Sequence, residues 1–325
     1  MIKLSVITVN YRAWIPFERC LNSLKSLQTE KFVLEVIIVD NFSNDGKLDE
    51  FIEKFPSFKF IKSSGNFGFS YGNNLGAKHA TGDFLLFLNS DTIVSREPLE
   101  SMLNLAQRNA EYTIISSQQV NLNNKEENPY GIFPSFWTIN SIIKSVYGLI
   151  SKNKVSVTCE NSNIIFPDWV SGSLILIGRD QFDKIDGWDE DYWLYFEDAD
   201  LCKKVKDNGG IVAMQCNPAI IHQHGGTTRR TLSLAAFCKA MVIISGHIYF
   251  RKHYSGISHF FLQSLSILNT LLFDNLFPAI YGLIFFPFGA ARKYLLIYVY
   301  ILKYYFRTAI TQSWFIDIRK VKLPE

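Results

Sequence analysis

Short β-branched runs alternate with segments of helical apolar spacing from residue 4 to residue 118 of this chain. The runs Leu4–Val9 and Val33–Val39 read as buried strands, and Phe17–Leu27 between them has the spacing of an amphipathic helix. Two strands joined through a helix pair in parallel, because a parallel pair needs a long crossover connection. The alternation continues with predicted helices at Leu48–Phe55, Tyr71–His79 and Leu99–Arg108, and predicted strands at Phe58–Lys62, Phe84–Leu88 and Thr113–Gln118. The sequence therefore predicts an α/β fold with a mainly parallel central sheet flanked by helices.

Polar side chains follow three of these strands directly. They are Asn10 after the first strand, Asp40 after the second, and Asn89 to Asp91 after Phe84–Leu88. Ligands of open parallel sheets sit at the carboxyl ends of the strands. A carboxylate such as Asp40 can accept the ring N–H of uracil, thymine or guanine, although an Asx-turn is the structural alternative. Asp91 could hold a hard divalent cation beside a diphosphate, or cap the following turn.

A carboxylate pair, Glu197 and Asp198, stands at the predicted start of a helix, Asp198–Asn208, after a run of aromatic residues. The dipole and free N–H groups of a helix start favour the ionised carboxylate. Such a group suits a general base that must be deprotonated at neutral pH. Acidic first turns are also routine helix caps, and this pattern alone leaves both readings open.

Two further segments carry polar or glycine-rich patterns. Gly65–Gly76 has no G-x-G-x-x-G or P-loop order, and its glycines permit either close helix packing or close approach of a nucleotide. After a predicted strand at Ile211–Cys216, His222 and His224 stand two residues apart and can reach the same side of an extended segment. Either histidine could ligate a metal or contact a phosphate, and Arg229 could bind phosphate oxygens.

Composition narrows the functional class. The 325 residues carry a formal charge of only +3, so nothing in the balance of charge suggests nucleic acid as a partner. The N-terminus reads as a strand and lacks the apolar region of a signal peptide, which predicts a cytoplasmic working end. The five cysteines follow no zinc-site spacing, and we expect buried thiols in a reducing compartment.

The C-terminal region is almost free of charge. From Ile257 to Ala291 the only formally charged residue is Asp274, and basic residues flank the segment at both ends. A bilayer span needs about 20 residues, so this segment is short for two spans, and its flanking charges place both ends on one side. We expect a re-entrant or in-plane hydrophobic hairpin that contacts membrane lipid. The alternative is an aromatic-rich helical subdomain that packs on the sheet or forms a homodimer.

The order of the motifs resembles glycosyltransferase family 2, whose members have the inverting GT-A fold, and most closely its rhamnosyltransferase-like bacterial branch. The similarity extends from Met1 to about Tyr254, which predicts a catalytic domain at 1–254 and a hydrophobic helical region at 255–325. The motifs that carry it are Ser5-Val6-Ile7-Thr8-Val9-Asn10-Tyr11, Val39-Asp40-Asn41, Asn66-Phe67-Gly68-Phe69, Asn73-Asn74, Leu88-Asn89-Ser90-Asp91-Thr92, Val170-Ser171-Gly172-Ser173, Gly187-Trp188-Asp189-Glu190, Tyr195-Phe196-Glu197-Asp198-Ala199-Asp200-Leu201 and His222-Gln223-His224-Gly225.

The resemblance implies a role for individual positions. Asp198 would be the general base, with Glu197 supporting it, and Asp91 would hold Mg²⁺ or Mn²⁺ on the diphosphate. The D-x-D metal motif of the family is reduced here to Asn89-x-Asp91, a loss that His222 or His224 could compensate. The nucleotide-sugar side would comprise Thr8, Asn10, Asp40, Asn66, Gly68, Asn74, Asn89, Ser90 and Arg229. The acceptor side would comprise Gly172, Trp188 and Asp189.

The implied enzyme is a metal-dependent, inverting glycosyltransferase of the hexosyltransferase class. Its donor would be a nucleotide-diphosphate sugar, with dTDP-linked deoxysugars such as rhamnose favoured. Its acceptor would be a saccharide, such as one carried on polyprenyl diphosphate at the cytoplasmic face of the membrane during envelope polysaccharide assembly. The alternatives are a nucleotidyltransferase acting on a sugar phosphate and a non-catalytic membrane scaffold. A processive synthase needs several spanning helices, for which this tail is too short.

Overall fold

The computed structural model describes residues 1–27, 30–136, 159, 163–223 and 231–324, and they form two compact units. The first unit takes the described residues of Met1–Ile132, Ser156–Glu190 and Glu197–Thr227. The second takes those of Phe133–Val155, Asp191–Phe196 and Thr228–Glu325. The second unit therefore includes residues 231–254, which lie before the boundary that the sequence predicts at 254/255. That predicted boundary stays a prediction.

The strands of the described residues are β1 Ile2–Asn10, β2 Phe32–Asp40, β3 Lys59–Lys62, β4 Phe84–Asn89, β5 Thr92–Ile93, β6 Tyr112–Val120, β7 Tyr130–Gly131, β8 Ile164–Ile165, β9 Trp169–Val170, β10 Leu174–Gly178 and β11 Ile211–His222. A nine-stranded sheet is the centre of the first unit, in the order β3-β2-β1-β4-β10-β6-β11-β5, with β8 pairing on β11. The strands β1, β2, β3 and β4 are parallel to one another, whereas β10 is antiparallel to both of its neighbours. A second, two-stranded sheet pairs β7 with β9.

The register of the parallel strands brings the predicted polar ends together. Asn10 at the end of β1 lies opposite Asp40 on β2, and Val9 lies opposite Asn89 on β4. The predicted α/β sheet with flanking helices is therefore confirmed. One strand differs from its prediction, because β11 continues past an irregularity between Gln215 and Ile220 and ends at His222.

Helices cover both faces of the sheet. On one face, apolar residues of β1, β2 and β4 form a core with α1, α2 and α4. On the other face α3 packs on β1, where an added Cβ at Gly72 or Gly76 would lie within 2.8 Å of Val9 or Ile7. These glycines serve close packing, which settles the two readings of Gly65–Gly76 for these positions. The helices are α1 Trp14–Lys25, α2 Leu48–Lys54, α3 Phe69–Lys78, α4 Arg96–Arg108, α5 Arg179–Lys184 and α6 Glu197–Asp207.

The second unit is helical. Its helices are α7 Leu232–His253, α8 Gly256–Leu268, α9 Leu276–Ile284 and α10 Gly289–Thr311, with a π-helical turn at Asn269–Asp274 between α8 and α9. The lack of a side chain at Gly282 lets α9 approach the backbone of Ala291 on α10. Two segments of the described chain, Leu232–His253 and Gly256–Ile284, are long and apolar enough to cross a membrane. The first is mostly buried within the protein, as core helices are, and the second is mostly exposed.

The cysteines differ in part from the sequence-based expectation. Cys20, Cys202 and Cys238 are free and buried, as expected. Cys159 and Cys216, however, form a disulfide, with their Cα atoms 5.3 Å apart. The expectation of five unpaired thiols is wrong for this pair, because the 57 residues that separate the two cysteines in sequence give no sign of their proximity.

Candidate active site

Buried polar atoms without protein partners mark the carboxyl ends of β1 and β2. Within the described part of the chain, no hydrogen bond reaches Thr8 Oγ1, Asn10 Nδ2 or Asp40 Oδ1. The side chain of the neighbouring Asn41 donates to Asn66 Oδ1 at 3.1 Å and to Gly68 O at 3.0 Å. These hydrogen bonds connect Asn41, Asn66 and Gly68 to one another at this edge of the sheet. A buried polar group without a partner costs free energy. A polar ligand or an ordered water at this edge would satisfy these atoms.

Asp40 is the charged group of this edge. Its Oδ2 atom accepts the backbone N–H of Ser43 at 3.2 Å, as in an Asx-turn, while Oδ1 keeps its full acceptor capacity. Burial raises the pKa of the Asp40 carboxyl. The two readings of Asp40 are compatible, since one oxygen closes the turn and the other can accept an N–H from a base.

Asp91 and His222 meet although 131 residues separate them in sequence. His222 ends β11 and pairs with Thr92 of β5, and its Nε2 atom lies 3.1 Å from Asp91 Oδ1. A carboxylate oxygen and an imidazole nitrogen at this distance can ligate one divalent cation. Among the described residues no group of three or more His, Cys, Asp or Glu could hold a metal. The pair therefore fits Mg²⁺ or Mn²⁺ that takes its remaining ligands from phosphate and water.

The pair Glu197 and Asp198 begins α6 as predicted. Asp198 accepts the backbone N–H of Gly172 at 3.1 Å through Oδ2 and that of Ala199 at 2.8 Å through Oδ1. Glu197 is only 6% exposed. The two residues before it, Tyr195 and Phe196, have φ values of 70° and 67°, an unfavourable region for non-glycine residues, so the chain turns sharply into the helix.

The electrostatics of the pair differ from the expectation that the helix start favours the ionised carboxylates. Burial raises the pKa of Asp198, against the opposing effect of the N–H groups of Gly172 and Ala199. Burial and then the charge of Asp198 raise the pKa of Glu197 well above its ordinary value. Desolvation thus outweighs the helix start. Both shifts favour a single negative charge on the pair, and the N–H groups of Gly172 and Ala199 favour that charge on Asp198.

One pocket of about 430 Å³ joins the base and metal candidates, because both Asp198 and His222 line it. Sequence reasoning did not assign roles to the other residues of its wall, which come from three separate segments and have no shared spacing. The indole of Trp169 is held in place by its N–H, which donates to Ile132 O at 2.9 Å. These additional lining residues are Gln119, Glu127, Asn128, Pro129, Trp169 and Ser171.

The structure does not bring together the residues that the sequence predicts for the acceptor side. Gly172 holds Asp198, whereas Trp188 is 1% exposed and packs edge-on against Phe69 and Phe87. Trp188 and Asp189 line a different pocket, of about 560 Å³. We therefore place Trp188 in the core that supports Gly172, because a buried indole offers no face to an acceptor.

Asn74 has a different place from the one predicted. Its Nδ2 donates to Trp188 O and Glu190 Oε1 at 2.8 and 2.9 Å, and its Oδ1 accepts the N–H of Trp188 at 3.0 Å. These bonds engage both ends of the amide. Asn74 therefore orders the Trp188 loop instead of facing the nucleotide edge. Asn89 and Ser90 lie at the end of β4 beside Asp91, and His224 and Arg229 lie outside the described residues.

Comparison with known sequences identifies proteins and a family that this chain resembles. The sequence profile described as Glycosyl transferase family 2 matches residues 5–167. An N-acetylglucosaminyl-diphospho-decaprenol L-rhamnosyltransferase of Mycobacterium tuberculosis is 26% identical over 276 residues, which cover 78% of this chain and 85% of that protein. Rhamnosyltransferase WbbL of Escherichia coli is 25% identical over 189 residues, 56% of this chain and 70% of WbbL.

Comparison with solved structures concerns the fold. The mannosyltransferase PcManGT of Pyrobaculum calidifontis, solved with GDP-Man and Mn²⁺, superimposes with a TM-score of 0.53 at 14% sequence identity. The match covers 97% of this chain and 81% of that one. At this identity the likeness concerns the fold alone, and it confirms the predicted GT-A architecture.

Proposed function

Because the chain belongs to glycosyltransferase family 2 and is an enzyme of the glycosyltransferase class, we propose that it moves a sugar from a nucleotide-diphosphate donor to a lipid-linked saccharide, with inversion of the anomeric carbon. The observation that carries the proposal is the 430 Å³ pocket whose wall contains both Asp198 and His222. A base and a diphosphate-binding group must face the same reacting carbon from opposite sides. A pocket lined by both offers room for that carbon.

The donor side is proposed from the edge formed by Asp40 and its neighbours. The free Oδ1 of Asp40 accepts a ring N–H, which uracil, thymine and guanine all provide. The relatives from Mycobacterium tuberculosis and Escherichia coli are named as rhamnosyltransferases, which makes dTDP-rhamnose the first donor to test. The mycobacterial relative acts, by its name, on a sugar carried by decaprenyl diphosphate, which favours a polyprenyl-diphosphate acceptor.

Asp91 and His222 would hold a divalent cation, Mg²⁺ or Mn²⁺, against the donor diphosphate. When bound, such an ion neutralises the negative charge that builds on the departing nucleoside diphosphate. The two residues supply one oxygen and one nitrogen ligand at one point of the pocket wall. Imidazole is a better ligand for Mn²⁺ than for Mg²⁺, which favours manganese at this pair.

Asp198 performs the proton transfer. The acceptor hydroxyl gives its proton to the Asp198 carboxylate as its oxygen bonds to the anomeric carbon, and the bond from that carbon to the diphosphate oxygen breaks. Gly172 and Ala199 fix the carboxylate through their N–H groups. A pKa raised by burial makes Asp198 a stronger base than an exposed aspartate while it stays ionised.

The second unit would bind the cytoplasmic face of the membrane. Helices α8, α9 and the start of α10 expose large apolar side chains to a degree that is unusual for a surface in water, with Ile257 at 76% and Phe277 at 72%. A lipid interface covers such side chains, and Arg292, beside the ring of Phe286, supplies positive charge for anionic headgroups. The π-helical turn and Asn275 interrupt the apolar segment, which favours helices lying in the interface over a straight span.

The test is a transfer assay with dTDP-rhamnose and polyprenyl-diphosphate-linked N-acetylglucosamine. We expect a product whose anomeric configuration, read by NMR, is opposite to that of the donor. Asp198→Asn should lower turnover by about 10²–10⁴-fold while dTDP still raises the melting temperature. Near-normal turnover by Asp198→Asn would remove the assignment of the base.

The same preparation separates the alternatives. Turnover of a sugar 1-phosphate with a nucleoside triphosphate would identify a nucleotidyltransferase instead. Inactivity with dTDP-, UDP- and GDP-sugars alike, in a folded protein that also fails to bind the nucleoside diphosphates, would favour a scaffold. The predicted homodimer stays a prediction, and sedimentation in detergent tests it.

A further inference from the structure

A chain of buried hydrogen bonds runs from the proposed metal ligands to the loop that holds the base. His222 Nδ1 lies 2.9 Å from Gln119 Oε1, and Gln119 Nε2 lies 2.7 Å from Ser173 Oγ. Ser173 Oγ in turn donates to Ser171 Oγ at 3.0 Å. Gln119 and Ser173 are each 1% exposed, so water does not compete for these bonds. Gln119 therefore links the imidazole of His222 to the two serines.

The direction of each bond fixes the tautomer of His222. An amide oxygen can only accept, so the Nδ1 atom of His222 carries the hydrogen that bonds to Gln119 Oε1. The amide cannot turn over freely in this arrangement, because its Nε2–H donates to Ser173 Oγ, whose own hydrogen goes to Ser171. Glu127 Oε2, 3.9 Å from Nδ1, also favours a hydrogen on that nitrogen.

In the neutral imidazole this tautomer leaves a lone pair on Nε2, and Nε2 lies 3.1 Å from Asp91 Oδ1. Two acceptors at that distance repel each other unless a cation lies against both. The opposite amide orientation would let Nε2–H donate to Asp91, which satisfies both groups and removes the nitrogen as a ligand. The orientation of Gln119 therefore decides whether His222 can ligate.

We propose that Gln119 is a positioning residue that holds His222 in the ligating tautomer and so completes the cation site with Asp91. The inference rests on the divalent cation of the proposed function. Histidines that bind metals commonly donate their other ring N–H to a fixed acceptor, and loss of that acceptor costs 10–100-fold in affinity or activity. Here the acceptor is an amide that is itself fixed by Ser173.

The experiment measures Mn²⁺ affinity by the electron paramagnetic resonance signal of the free ion, with the full-length protein in saturating dTDP. Gln119→Met removes the acceptor at nearly constant volume and should weaken Mn²⁺ binding by about 10–100-fold. Gln119→Glu can only accept when ionised, so it should bind Mn²⁺ within about threefold of the unaltered protein, or more tightly.

Gln118→Met is the matched control. Gln118 is the neighbouring buried glutamine of β6, and its Nε2 donates to Glu127 O instead of to the His222 chain. Its substitution should leave the Mn²⁺ affinity within about twofold, and melting temperatures check that each variant is folded. Equal weakening by Gln118→Met and Gln119→Met would overturn the inference, since it would show a general loss of packing.

Asp91→Asn separates this inference from the proposed function. If Asp91→Asn and Gln119→Met both weaken Mn²⁺ binding and Gln119→Glu does not, the inference holds. If only Asp91→Asn weakens it, the cation site stands and the role of Gln119 is refuted. If Asp91→Asn binds Mn²⁺ as the unaltered protein does, the cation is not at Asp91, and both proposals about this site fail.

Discussion

The two units of the molecule differ in which kind of group they place in an unfavourable environment. The first buries polar groups that lack protein partners, such as Asp40 Oδ1 and Glu197 Oε2. The second exposes apolar groups, such as Phe277 and Ile257, that a soluble domain would cover. Either departure costs free energy in water alone. The proposed function gives each unit a different partner, a polar ligand for the first and a lipid surface for the second.

The largest expected effect concerns the exposed apolar side chains of the second unit, and it tests whether lipid is their partner. We expect the triple substitution of Phe260, Phe277 and Phe288 by serine to lower binding to anionic vesicles by a factor on the order of a thousand or more. Burying one phenylalanine side chain contributes about 1.5–3 kcal/mol, and these three rings are more than 60% exposed. Vesicle flotation measures the change.

Exposed apolar residues of the first unit provide the control. Serine at Leu122, Ile132 and Phe166, which are 46–55% exposed, should leave flotation unchanged. If both triple variants lose binding equally, the second unit has no special affinity for lipid. If neither does, its apolar face serves another partner.

A smaller effect is expected at Asp40, where one substitution should weaken ligand binding and also stabilise the ligand-free protein. Asp40→Asn should weaken dTDP binding by about tenfold, because a hydrogen bond to a charged group contributes about 1.5–3 kcal/mol. The same change should raise the melting temperature of the ligand-free protein at neutral pH, because burial raises the pKa of Asp40. Calorimetry measures the change in dTDP affinity, and thermal melts measure the change in melting temperature.

The pH dependence at Asp40 follows from the direction of its pKa shift. A carboxyl with a raised folded-state pKa stabilises the fold fully below its unfolded pKa, and this contribution is lost as pH rises through the folded pKa. The stability gained by Asp40→Asn should therefore shrink as pH falls from the raised folded-state pKa of Asp40 toward the ordinary carboxyl range, and it should be absent below that range. A gain that is constant with pH would mean that Asp40 is not desolvated.

A still smaller effect on function is expected at Asn74, which tests whether this residue belongs to the ligand edge or to the framework. Asn74→Ala removes three hydrogen bonds around Trp188 and should lower the free energy of unfolding by about 2–3 kcal/mol, with dTDP affinity nearly unchanged. Asn73→Ala, which loses one bond within its own helix, is the matched comparison. Weaker dTDP binding without loss of stability would restore the nucleotide role.

Much of the first unit could be predicted from sequence because its signals are local. The strand periodicity and the polar residue after each strand identify Asp40 and Asp91, and the helix start identifies Glu197 and Asp198. These patterns depend on neighbours within a few residues. The same is true of the apolar segment from Ile257, whose composition alone predicts an exposed face.

The pairings within the site could not be predicted in this way. Asn74 meets Trp188 across 114 residues, and Gln119 meets His222 across 103. A buried glutamine in a strand has the same local pattern whether it orders a loop or orients a ligand. The direction of the pKa shift at Asp198 was not predicted for a related reason, since the helix start is visible in sequence whereas the burial that raises this pKa is not.

The smallest effect is expected at Glu197, and it tests whether this buried carboxyl acts in its protonated form. Glu197→Gln should keep turnover within a few-fold at neutral pH, because the amide resembles the protonated carboxyl that burial and the charge of Asp198 favour. It should also extend activity to higher pH, since ionisation of Glu197 would add a second negative charge beside the base. The pH profile of kcat/KM tests both points. If Glu197→Gln instead abolishes turnover and Asp198→Asn does not, the two acids exchange roles, and Glu197 is the base.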